Sequence, residues 1–390
     1  MDYGLYFHIP FCFKKCNYCD FLSFSSFDVY EDEKQRYFHA LEEEWFVRNE
    51  LIKSDDRIDS IYIGGGTPSY VDPMYIENIM EMVKNEKTIT KDAEITIEVN
   101  PGTVTFEKLQ RYHDAGINRL SIGIQSTHNR LLKSLGRIHN SSDCEEVFRM
   151  AKDAGFRNIS ADLIFGIPQV EDEAAQTFEE FATDIENVLS WGARHLSAYS
   201  IIVEEGTPLC ELFRRKKAQE ISPELERQMY YAIPKLLRDY HLSQYEISNY
   251  ARLDTMSKHN LKYWKCLPYI GFGLGAASYY PLNKDNNYTE YIRESNTKNF
   301  TDYLQFYFNG EKEIIDFNEQ MYEFMMLGFR QTKGPDPRAF TKRFGCLYTE
   351  VFKEKLKKLA EKGLIILTTS AKLSPKGFDY ANEVFREFVL

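Results

Sequence analysis

Three of the seven cysteines fall in one short stretch, Cys12-Phe13-Lys14-Lys15-Cys16-Asn17-Tyr18-Cys19, with the spacing C-x3-C-x2-C. Three thiolates on one loop can hold three irons of a cubane 4Fe–4S cluster and leave the fourth iron open to an external chelating molecule. A closed structural zinc site wants four ligands. No fourth Cys or His stands nearby in the usual place, because His8 precedes the run and points from a strand, so zinc would need a distant ligand. Cys144, Cys210, Cys266 and Cys346 are scattered and read as ordinary buried or loop thiols. The cysteine count is odd, and Met1-Asp2-Tyr3-Gly4-Leu5 carries no basic and apolar leader. Both argue against a disulfide framework and for a cytoplasmic protein.

Further candidates lie at the ends of strand-like runs. Gly64-Gly65-Gly66-Thr67-Pro68 follows one such run, and its glycines let a backbone approach a ligand closely. Glu98-Val99-Asn100-Pro101 and Gly123-Ile124-Gln125-Ser126 end the next two, Leu135-Gly136-Arg137 comes after them, and Asp162 lies within a fifth. The runs themselves are Leu5–Ile9, Ile58–Ile63, Glu94–Val99, Arg119–Ile124, Asn158–Ile164 and His195–Ile202, each rich in β-branched or aromatic residues. Helical stretches alternate with them at Glu31–Leu51, Tyr75–Asn85, Phe106–Ala115, Ser142–Ala154 and Gln176–Trp191. Six strand-and-helix units predict an α/β protein whose parallel sheet forms a partial (βα)6 barrel. Barrels place their chemistry at the C-terminal ends of the strands, where all these candidates except Asp162 fall.

After residue 215 the pattern changes. Pro223–Tyr240 reads as an amphipathic helix, Gln244–Asn249 as a short strand, and 250–290 shows little periodicity. Helices at Gln320–Arg330, Pro337–Phe344 and Tyr348–Lys362 precede a ribbon at Leu364–Leu373 and a last helix from Pro375, which predicts a winged-helix-like C-terminal α+β domain. The expected division is 1–215 for the barrel, 216–300 for a connecting segment and 301–390 for the C-terminal domain. The net charge of −11, from 48 basic and 59 acidic residues, speaks against a nucleic-acid partner. No apolar run is long enough to span a membrane.

The cysteine triad at the end of a first strand resembles the signature of the radical S-adenosylmethionine (SAM) superfamily. That resemblance implies a 4Fe–4S cluster on Cys12, Cys16 and Cys19, with SAM on the open iron. By the same token Tyr6, Gly64, Gly65 and Thr67 would serve the methionine end of SAM, and Glu98 its amino group. Arg137 would pair its carboxylate in the bidentate manner usual for arginine, while Gln125 and Asp162 would bond the ribose hydroxyls. Tyr6-Phe7-His8-Ile9-Pro10-Phe11-Cys12, Leu135-Gly136-Arg137 and Tyr245-Glu246-Ile247-Ser248-Asn249 are similar to the oxygen-independent coproporphyrinogen III oxidase family, nearly end to end.

Two features separate the branches of that family. True oxidases carry a further cysteine two residues after the triad, where this chain has Phe21. His259-Asn260-Leu261-Lys262-Tyr263-Trp264 resembles the H-N-x-x-Y-W motif of the HemW-type heme chaperones. The resemblance implies a protein that binds heme and passes it to apo-hemoproteins, those of the respiratory chain among them. His259 is the candidate iron ligand, since histidine commonly binds heme iron. Tyr263, Trp264 and Tyr269 could stack on the porphyrin, and Lys258, Lys262 or Lys265 could meet its propionates. Tyr263 and Trp264 read equally well as packing between domains. Many relatives have a histidine where this chain has Ala277. Whether the chain turns SAM over stays open, as do a homodimer and peripheral membrane contact. A coproporphyrinogen III oxidase, or a radical SAM enzyme with another substrate, are the alternative readings.

Overall fold

The computed structural model describes residues 1–282 and 290–389. Six strands run parallel and in chain order: β1 Asp2–Ile9, β2 Arg57–Gly65, β3 Thr88–Val99, β4 Arg119–Gln125, β5 Asn158–Phe165 and β6 His195–Ser200. Helices Glu31–Arg48, Pro73–Glu86, Phe106–Asp114, Ser141–Asp153 and Phe178–Ser190 connect them. Their starts follow capping chemistry. Asp72 and Thr105 accept first-turn N–H bonds, and Thr177 forms a capping box with Glu180. This is the partial (βα)6 barrel expected from the sequence.

The strands alternate in character. Leu5, Phe7, Ile61, Ile63, Ile95, Ile97, Leu120, Ile122, Ile159 and Leu163 are buried in one continuous core with the helices. Burying each such side chain contributes roughly 1.5–3 kcal/mol. The residues between them are polar. Across the sheet the register pairs Tyr6 with Tyr62, Tyr62 with Thr96, Thr96 with Arg119, Gly123 with Asp162 and Asp162 with Ser197. Parallel strands covered on both faces usually read as continuous apolar runs. A polar second face means that this side lines a cavity and not a packed core.

The sheet continues past the barrel. β7 Ser243–Gln244 and β8 Asn249–Ala251 pair antiparallel beside β6, with a turn in place of the single strand expected there. At the other edge β9 Tyr269–Phe272 lies parallel to β1, followed by the meander β10 Ala277–Pro281, β11 Tyr291–Asn296 and β12 Asn309–Ile315. The 250–290 stretch, which lacks periodicity in the sequence, thus holds strands, with 283–289 outside the described residues. Beyond it, helices Phe317–Gly328, Pro337–Phe344 and Lys353–Glu361 and the hairpin Ile365–Leu367 with Ala371–Leu373 form the winged-helix-like domain. Its own core includes Phe324, Phe340, Phe352 and Leu356, and takes in Tyr279 and Tyr291 from the meander. Among the described residues no helix is long and apolar enough to cross a membrane.

Candidate functional site

A cavity of about 450 Å³ opens at the C-terminal ends of the barrel strands. Cys12, Cys16, Cys19, Gly65, Thr67, Glu98, Gln125, Arg137 and Asp162 all line it. Nine of the residues expected from the motifs and the resemblance are therefore brought together. Tyr6 and Gly64 are not among the lining residues. Tyr6 stands one step back: its hydroxyl lies 3.0 Å from His8 Nδ1, and His8 Nε2 lies 2.8 Å from the Leu22 carbonyl oxygen. A carbonyl only accepts, so Nε2 carries the proton and Tyr6 donates to Nδ1. The pair fixes Leu22, just past the cysteine loop.

That loop is tied down at several points. Thr67 N–H donates to the Phe11 carbonyl (2.9 Å), Asn17 N–H to that of Leu135 (3.0 Å), and Leu209 N–H to that of Asn17 (2.8 Å). Thr67 Oγ1 lies 3.4 Å from Cys12 Sγ, and Arg137 Nη1 lies 3.2 Å from Cys16 Sγ. Burial pushes the Cys19 thiol up to about 11. No three His, Cys, Asp or Glu side chains among the described residues converge on a single metal ion. A cubane takes one thiolate per iron, and the cysteine loop suits that arrangement. Gly65 has φ +116, and a Cβ there would meet the His8 ring at 2.6 Å, so only glycine serves at this edge of the site.

The polar walls are distinct. Glu98 Oε1 accepts from Tyr62 Oη (2.9 Å), and Oε2 accepts from Gly65 N–H (3.1 Å). Burial raises its carboxyl to about 7, opposed by those bonds and reinforced by Asp162. Asp162 accepts from Ser121 Oγ at 3.1 Å, deeper in the barrel. Its carboxyl is raised by burial against the pull of its hydroxyl partners and Arg119. Arg137 Nη2 donates to the Gly123 carbonyl (2.7 Å), while its Nε has no partner among the described residues. Its cationic guanidinium borders the cavity beside Cys16. Gln125 sits at φ +67, strained for a side chain-bearing residue, at the strand end where it lines the cavity. Tyr62, Arg119, Ser121, Ser197 and Asn260 also line the cavity and were missed from sequence. Polar residues at every second strand position were the available signal.

Residues 6–182 match the Radical SAM superfamily, and 315–380 match the HemN C-terminal domain. Along 390 residues the chain is 35% identical to heme chaperone HemW of Bacillus subtilis (strain 168), covering 98% of each. The chain belongs to the HemW family. HemW of Lactococcus lactis subsp. lactis (strain IL1403) is 30% identical over 393 residues, covering 99% of this chain and 97% of that one. Among solved structures, coproporphyrinogen III oxidase HemN from Escherichia coli, a radical SAM enzyme, covers 99% of this chain and 89% of its own, with TM-score 0.79 at 21% identity. That likeness is one of fold.

In this HemW family member the H-N-x-x-Y-W segment forms a short helix, Lys258–Trp264, packed across the N-terminal ends of the barrel strands. Gly4 admits it, since a Cβ there would lie 2.9 Å from Lys262 Cδ and 3.2 Å from His259 Cε1. His259 is 1% exposed. Its Nδ1 shares a hydrogen bond with Ser60 Oγ (3.0 Å), and its Nε2 with Tyr263 Oη (2.8 Å). Burial, helped by Lys262 and Arg119, holds it neutral with its pKa near 3. As placed, both ring nitrogens of His259, the expected heme ligand, are engaged by hydroxyl groups.

The neighbours of His259 are also engaged. Trp264 lies under the Arg330 guanidinium (4.3 Å), so it packs between the barrel and the C-terminal domain. Lys258 pairs with Asp92 (2.8 Å) and Lys262 with Asp59 (2.7 Å). Ala277 is exposed on β10 and is not among the cavity's lining residues.

Proposed function

We propose that this protein binds heme and passes it to apo-hemoproteins, those of the respiratory chain among them, and that it works in the cytoplasm. We further propose that Cys12, Cys16 and Cys19 hold a 4Fe–4S cluster whose open iron takes SAM. The observation that carries the reading is likeness along the whole chain, at 35% identity, to a protein named heme chaperone HemW. Phe21, where the oxidases of the wider family have cysteine, supports it.

The residues divide the work as follows. Arg137 pairs with the SAM carboxylate through its guanidinium charge, and Glu98, once ionised, accepts from the SAM amino group. Asp162 and Gln125 bond the ribose hydroxyls, and Gly65 and Thr67 border the methionine end. Tyr6 and Gly64 serve from behind, Tyr6 through His8 and Gly64 by leaving room for Glu98. When bound, the reduced cluster supplies the electron that can split the sulfonium of SAM. Residues 1–215 serve the cofactors, 216–300 are the connecting segment that carries H-N-x-x-Y-W, and 301–390 form the unit that meets protein partners.

The test is direct. Anaerobically reconstituted protein is titrated with heme and, separately, assayed with coproporphyrinogen III, SAM and a reductant. Stoichiometric heme binding without protoporphyrinogen formation is expected. Robust protoporphyrinogen formation, or absence of heme binding, overturns the reading.

A further inference from the structure

The cavity has two kinds of lining. Its deeper wall is polar: Tyr62, Glu98, Ser121 and Asp162. At and beyond the strand ends the lining changes to Phe21, Tyr199 and Ile202, with Lys14 and Lys15 in the cysteine loop. These apolar side chains are far from buried. Phe21 is 60% exposed, Tyr199 43% and Ile202 65%. The backbone at Phe21 is anchored, because its carbonyl accepts from Lys15 Nζ (3.0 Å) and Ser23 Oγ (3.2 Å). An exposed aromatic that lines the same cavity as a second aromatic and an aliphatic side chain offers apolar surface to a flat ligand.

We propose that the rim of this cavity, formed by Phe21, Tyr199 and Ile202 with Lys14 and Lys15, is where heme docks. A porphyrin is flat and apolar over its faces and carries two carboxylates at one edge. The apolar trio suits the face, and the two ammonium groups suit the propionates. Asp20 and Glu204 share the rim and would disfavour a ligand presenting anions all round. A ligand with its charge confined to one edge avoids them. The H-N-x-x-Y-W histidine is closed off at the other end of the barrel, so the rim and not the floor meets the porphyrin. The proposal rests on the heme-binding reading.

The test uses reconstituted full-length protein and follows heme absorbance, iron content and SAM affinity. I202D, outside the cysteine loop, should weaken heme binding about tenfold or more, as a centrally placed contact does, with iron content kept. F21A should do the same. K14Q/K15Q should weaken heme but not heme dimethyl ester, whose propionates are blocked. If F21A loses iron, I202D decides alone. Wild-type affinity in I202D and F21A, with heme binding lost in H259A, overturns the rim placement while the heme reading stands. Failure of the wild type to bind heme overturns both.

Discussion

The two ends of the barrel use polar residues in opposite ways. At the floor the carboxylate and the histidines are answered by partners, although Arg119 Nε, like Arg137 Nε, has no hydrogen-bond partner among the described residues. Glu94 accepts from His259 N–H (3.1 Å), Lys258 N–H (3.0 Å) and Ser257 Oγ, and its Oε2 stands 3.9 Å from Arg119 Nε. His195 bridges Ser160 (2.7 Å) and Tyr245 (2.8 Å). At the mouth, Arg137 Nε has no partner among the described residues and Phe21 lies bare. A satisfied buried network rigidifies a structure, while surplus donors and uncovered aromatics leave room for a ligand. A motif full of chemically able residues can therefore form a floor, and an inconspicuous phenylalanine can line a cavity.

The contrast makes predictions that separate binding from stability. The largest effect is expected at the cysteine loop: C16S should abolish iron incorporation in the reconstituted protein, read by iron content and by loss of the brown colour. Retained stoichiometric cluster would refute the triad. At the floor, E94A strips the 258–264 helix of its acceptor and leaves the Arg119 charge without its counter-ion. It should cost about 3–5 kcal/mol in urea unfolding. A loss under 1 kcal/mol would show that the floor is not the closed network described.

Glu98 gives a pH test. Its folded pKa, about 7, lies above the ordinary 4.5, so its contribution to stability is fully present below about 4.5 and is lost as pH rises through 7. E98Q should flatten that decline and, at pH 8, be more stable than wild type by on the order of 2 kcal/mol. SAM affinity should rise with pH through 7 in wild type but not in E98Q. An identical pH profile in both proteins would remove Glu98 from that role.

H259A leaves Ser60 and Tyr263 unpaired and should cost about 1–3 kcal/mol. The spectrum of bound heme should not change, and a changed spectrum would move the ligand back to the floor. The smallest effect belongs to the rim. F21A should alter stability by no more than about 0.5 kcal/mol, as exposed positions do, and a larger loss in thermal melting would make Phe21 a structural residue.

Much of the fold was legible in the sequence, because the six strands and five helices of the barrel carry their periods and caps locally. The strand at Tyr269–Phe272 was not, since nothing near it in sequence predicts parallel pairing with β1, residues 2–9. The cavity lining was legible for a similar reason: the cysteine loop and the residues at strand ends come together once the strands are parallel. The tertiary structure alone decided the fate of His259, which depends on Ser60 from β2 and on the space left at Gly4. It also decided that Tyr6 is hydrogen-bonded to His8, and that Trp264 packs under Arg330. Residue type and spacing determine which side chains can do chemistry. Which of them keep free donors or an exposed face is settled only when distant segments pack, because that packing supplies or withholds the hydrogen-bond partners and the solvent.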